Sequence, residues 1–147
     1  VMIDISCDIA VNIPNKPLDF KILLDGNVVF DISTTSPSYR FSHVLDDNGT
    51  QSHILEFHLS GKTNEHTEFK DGSMVNSAHV ELTNIKLNNI DVTEMALSND
   101  DLIAYTHDCN GYEDMNANVF DSLLGYNGVV KFEFSNPLDE WVSSNTY

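Results

Sequence analysis

Apolar and polar residues alternate strictly over positions 2–13. Ile3, Ile5, Cys7, Ile9, Val11 and Ile13 share one phase, and Asp4, Ser6, Asp8 and Asn12 share the other. A period of two with one apolar face predicts a half-buried strand. Pro14 and Pro17 end it. Leu18, Phe20, Ile22 and Leu24 make a second apolar face, and Val28, Phe30 and Ile32 a third. Leu24-Asp25-Gly26-Asn27 between them predicts a tight hairpin, because Asp-Gly and Gly-Asn readily take the positive φ that such turns require. Tyr39, Phe41 and His43 alternate next. After the polar turn Asp46-Asp47-Asn48-Gly49, His53, Leu55, Phe57 and Leu59 alternate against Ile54, Glu56 and His58. These two strands are expected to pair as a second hairpin.

Residues 60–73 are polar, with turn signals at Ser60-Gly61 and Asp71-Gly72. They read as a surface excursion, a kind of loop that often carries function. Ala78, Val80 and Leu82 alternate again. Residues 85–92 predict a strand, an Asn88-Asn89 turn, and a return through Ile90 and Val92. From 93 to 128 the period of two is lost and Asp and Asn are dense. That stretch predicts a long loop region with one or two helical turns. Val130, Phe132 and Phe134 mark a last strand. Beyond Pro137, the spacing of Leu138, Trp141 and Val142 predicts a short C-terminal helical turn packed on the sheet. About eight short strands with turn signals every 8–12 residues fit an antiparallel sandwich. The predicted fold class is all-β: an antiparallel jelly-roll-like β-sandwich, one domain over residues 1–147.

Composition adds constraints. A chain of 147 residues buries roughly 70% of its unfolded surface, so it needs no disulfide or metal to fold. Seven Lys and Arg stand against 23 Asp and Glu, a formal net charge of −16. Such a surface repels phosphate backbones and anionic lipid, which argues against nucleic-acid and membrane partners. It suits solubility, cations or a basic partner. Two cysteines, Cys7 and Cys109, are too few for a disulfide framework. Cys7, on an apolar face, is expected to be a buried thiol. No apolar run reaches the length of a membrane span, and no signal peptide is expected in the stretch at hand.

No Gly-x-Ser-x-Gly elbow, P-loop or dinucleotide fingerprint occurs. The six histidines show no His-x-x-x-His spacing for zinc, and they read as ordinary strand residues. The expectation is therefore a protein that is not an enzyme. The candidate site is the acidic stretch from Asp100 to Asp114. Asp100, Asp101, Asp108, Asn110 and Asp114 are the oxygen donors that calcium prefers, with Gly111 to turn the chain sharply. The same residues are also what a solvated acidic loop would contain. Tyr105, Tyr112 and Tyr126 have no obvious core role in this aperiodic stretch and are candidates for partner binding.

Two resemblances follow from particular runs. His53-Ile54-Leu55-Glu56-Phe57-His58-Leu59-Ser60-Gly61-Lys62-Thr63, followed by Ala78-His79-Val80-Glu81-Leu82-Thr83-Asn84-Ile85-Lys86-Leu87-Asn88-Asn89-Ile90-Asp91-Val92, resembles calcium-dependent xylan-binding modules. That likeness implies a calcium-assisted carbohydrate-binding role, with polysaccharide as the ligand. Ile3-Asp4-Ile5-Ser6, Leu18-Asp19-Phe20-Lys21-Ile22-Leu23-Leu24-Asp25 and Phe132-Glu133-Phe134-Ser135-Asn136-Pro137-Leu138-Asp139-Glu140-Trp141 resemble small acidic β proteins of tailed phages of marine bacteria. This second likeness spans most of the chain. It implies a non-catalytic virion accessory protein of capsid or tail, assembled in the host cytoplasm and held by contacts with the protein lattice of the particle.

Overall fold

The structure is a computed structural model that describes residues 2–47, 52–97, 102–107 and 122–145. The alternation over residues 2–13 becomes β1 (Met2–Val11), whose odd residues Ile3 to Val11 are all buried. β2 (Asp19–Leu24) and β3 (Asn27–Ser33) form the expected hairpin. Asp25 and Gly26 both take positive φ in its turn, at 50° and 83°. β4 (Ser38–Asp46) and β5 (Ser52–Ser60) follow, then a small hairpin of β6 (Thr67–Lys70) and β7 (Ser73–Ser77). β8 (Val80–Leu87), β9 (Ile90–Asp91), α1 (Thr93–Leu97), β10 (Ile103–His107), β11 (Leu123–Leu124), β12 (Gly128–Ser135) and α2 (Leu138–Asn145) complete the described elements.

The strands make an antiparallel β-sandwich. One sheet has the order β11-β8-β1-β4, with β9 added on β8, and the other has the order β10-β12-β5-β2-β3. Between them lie Ile5, Ile9, Phe41, Leu82 and Leu87 from the first sheet. Phe20, Ile22, Phe57, Val130, Phe132 and Phe134 face them from the second. α2 closes one flank, where Trp141 packs edge-on against Phe132 and Phe134. No helix among the described residues is long and apolar enough to cross a membrane.

Three expectations are corrected. β4 and β5 do not pair. β4 lies on β1, from Asp46 opposite Met2 to Ser38 opposite Ala10. β5 sits between β12 and β2 in the other sheet. Alternation fixes which face of a strand is buried, and it leaves the neighbour unspecified. Residues 80–87 form one continuous strand, β8, with an extra residue in it, ahead of the expected Asn88-Asn89 turn into β9. Ser6 pairs with Lys86 and Asp8 with Thr83, so Asn84 and Ile85 stand opposite Cys7 alone. This β-bulge, with Asn84 at φ 51°, shifts the inward phase from Val80 and Leu82 to Ile85 and Leu87. Among its described residues, the stretch read as a long loop contains two strands, β10 and β11, besides α1.

Candidate functional site

The bulge in β8 has a consequence on the outer surface. It opens a depression of about 360 Å³ lined by Thr83, Asn84, Asp91, Thr93 and Glu94. Its floor is fixed by hydrogen bonds. Asn84 Nδ2 donates to Asp8 Oδ2 at 2.8 Å, and the other oxygen of Asp8 accepts from Arg40 Nη1 at 3.1 Å. The amide of Ile85 donates to Thr93 Oγ1 at 2.8 Å, and the amide of Thr93 donates to Asp91 Oδ1 at 2.9 Å. The β8–β9 turn is anchored in the same way, since Asp4 N donates to Asn88 Oδ1. The side-chain oxygen of Asn84, the second Asp91 oxygen, the Thr83 hydroxyl and the Glu94 carboxylate have no side-chain hydrogen bond among the described residues. The depression therefore presents mostly acceptors on a rigid strand scaffold.

A second polar cluster lies at the β12 end of the other sheet. Lys62 Nζ donates to Ser77 Oγ and to the Gly125 carbonyl, both at 2.6 Å. Asn127 exchanges two hydrogen bonds with the Lys62 backbone. These contacts tie the end of β7 to the chain entering β12.

The predicted partner-binding tyrosines divide. Tyr105 is a core residue on β10, 5% exposed. Its hydroxyl donates to Tyr126 O and accepts from Tyr126 N, both at 3.1 Å. Tyr126 is half-buried and stacks on His107, with centroids 4.7 Å apart. The structure thus brings Tyr105 and Tyr126 together as a packing pair, because Ile103, Tyr105 and His107 alternate inward along a strand too short to stand out. Tyr112, the calcium candidates Asp100, Asp101, Asp108, Asn110 and Asp114, and Cys109 lie outside the described residues. Among the described residues no three His, Cys, Asp or Glu side chains are placed to hold a metal ion. Cys7 is buried in the core, and burial first, then the neighbouring Asp8, pushes its thiol pKa up to about 12. It is an inert packing residue at neutral pH.

One histidine breaks the expectation of ordinary strand residues. His53, 4% exposed on the inner face of β5, meets Asp25 Oδ2 at 2.6 Å through Nδ1 and Asp47 Oδ2 at 2.8 Å through Nε2. Its phase was legible: a histidine on an apolar face demands partners. In the sequence, Asp25 and Asp47 stand out only as turn formers.

No protein-family model matches the sequence, and no curated protein matches it. Among solved structures the chain is similar to one described as vCBM60 in complex with galactobiose. The TM-score is 0.45 at 13% identity, over 88% of this chain and 96% of that one.

The remaining conspicuous surface is the β6–β7 hairpin. Phe69, 66% exposed, pairs across the hairpin with Met74, and Val75 is exposed beside them. Apolar side chains exposed singly need no explanation, whereas these three are grouped on one small hairpin.

Proposed function

We propose that this domain is a non-catalytic carbohydrate-binding module that receives a neutral sugar at the β8 bulge. The observation that carries the reading is the lining of the depression: Thr83, Asn84, Asp91, Thr93 and Glu94 around about 360 Å³. Acceptor-rich walls with two carboxylates repel anions and need a ligand that donates many hydrogen bonds. A neutral polyol does so, one hydroxyl to each oxygen, with charge-assisted bonds to Asp91 and Glu94. The bulge and its anchoring bonds hold these oxygens in place before the ligand arrives, which lowers the cost of binding. Among the described residues the lining has no aromatic ring, so affinity is expected to rest on hydrogen bonds and to fall in the range of about 10 μM to 1 mM.

Calorimetric titration with a panel of neutral oligosaccharides tests the reading. At least one should bind, and Glu94→Gln together with Thr83→Ala should weaken it by tenfold or more with the melting temperature unchanged. Binding that ignores both substitutions, or no binding across the panel, would refute it.

A second reading, a module seated in a larger protein assembly such as a phage particle, is favoured by the exposed Phe69, Met74 and Val75. Under it, Phe69→Ser and Met74→Ser should leave stability unchanged, since neither side chain is buried, and should reduce incorporation into particles. Normal incorporation of the double variant would remove the hairpin from that role.

A further inference from the structure

We infer that Asp25, His53 and Asp47 form a proton-dependent latch: while the imidazole holds both protons it pins the β2–β3 turn and the end of β4 to the head of β5, and loss of one proton releases that end of the sandwich.

The geometry carries this. Each ring nitrogen of His53 stands within 2.8 Å of a carboxylate oxygen. A neutral imidazole has one N–H and one lone pair, so one of the two contacts would set a lone pair against a carboxylate. The imidazolium donates both ways. Asp25 also accepts the Ile54 amide on Oδ1 at 2.9 Å, and its own amide donates to Ile54 O at 2.9 Å. A single residue thus joins the turn to the strand through three hydrogen bonds, two to its side chain and one from its backbone amide.

The surroundings make the proton decisive. The Asp47 side chain is wholly buried and His53 is nearly so. Phe134 of β12 lies against the ring, with centroids 5.5 Å apart, and Trp141 of α2 backs Phe134. Among the described residues, the titratable groups facing the ring are Asp25 from the turn and Asp47 from the end of β4. Asp46, the next residue back, is exposed. β12 and α2 present only aromatic rings, and residues 48–51 carry no titratable side chain. With the proton in place, one positive charge sits between two negative ones. Without it, the wholly buried Asp47 carboxylate and the part-exposed Asp25 carboxylate face a neutral ring, one of them across a lone pair, and breaking a buried ion pair is destabilising.

Burial pulls the His53 pKa down, but the hydrogen bonds to Asp25 and Asp47 and their charges outweigh it, so the pKa stands above the ordinary 6.5. A raised folded-state pKa gives stability that is fully present below 6.5 and is lost as pH rises through the folded value.

Nitrogen-15 spectra of the histidine-labelled chain at pH 7.5 test the protonation directly. His53 should show both ring nitrogens protonated, and its signals should shift only at higher pH. Amide exchange, corrected for intrinsic base catalysis, tests the latch. Protection of the Ile54 amide should fall about tenfold per pH unit from pH 6.5 up to the folded pKa and level off above it. Asp47→Asn should flatten that dependence. Should that variant fail to fold, the wild-type spectra and exchange still decide. A His53 ring with one bare nitrogen at pH 7.5, or Ile54 protection indifferent to pH, would overturn the inference.

Discussion

Phe57→Ala should lower the stability of this domain by about 3–5 kcal/mol, the range for removing a fully buried aromatic ring. Phe57 is wholly buried in the middle of β5, and β5 is itself the middle strand of its sheet. Ile22 of β2 and Val130 of β12 flank it in register. Both neighbouring strands are held along their length by ladder hydrogen bonds, so the hole left by the ring cannot close by letting one strand slide. The loss is therefore the lost burial plus a cavity. Urea denaturation should show a lower midpoint at unchanged slope. A cost below 1 kcal/mol would mean that the two sheets do not face each other at this point.

Gly128→Ala should cost about 3 kcal/mol, the upper end for overpacking, because the obstruction is backbone. Gly128 opens β12 opposite His107 of β10 and Leu59 of β5. A Cβ there would lie 2.7 Å from His107 Cα and closer still to the Thr106 carbonyl oxygen. Neither atom can yield unless β10 moves. The damage should thus be local as well as global. Amides of 103–107 should exchange faster in the variant, and the Tyr105–Tyr126 hydrogen bonds should be lost. A melting temperature equal to that of the wild type would show that β10 is not seated as described.

The sandwich was legible wherever one face of a strand is apolar without interruption. β1, β2, β5 and β12 are such strands, and their inward residues are those the alternation names. The C-terminal turn was legible for a similar reason, since Leu138 and Trp141 are the buried residues of α2. Pairing was less legible, because a strand such as β4 presents the same pattern to any neighbour. β10 was hidden by brevity and by His107, a polar residue on the inward phase. The depression at Thr83 and Asn84 was foreshadowed by the phase break between Leu82 and Ile85. A phase break alone does not distinguish a bulge from a turn. His53 showed its phase plainly but not its carboxylates, which come from positions 28 residues before it and 6 before it.

The order of strands bears on how the chain finds its shape. Successive strands seldom stay in one sheet: the chain passes from one to the other between β1 and β2, β3 and β4, β4 and β5, β9 and β10, β10 and β11, and β11 and β12. Within the described sandwich, only β2–β3 and β8–β9 are neighbours both in sequence and in space. The register that seats β1 between its partners joins Ile5 to Leu87, so a long loop must close before those contacts repay it. Folding is then expected on the order of milliseconds to seconds, as for other domains built from distant strand pairings. During synthesis β1 waits for its second neighbour until β8 has been made, and the hydrogen-bonding edge that β8 will occupy stays open for that interval.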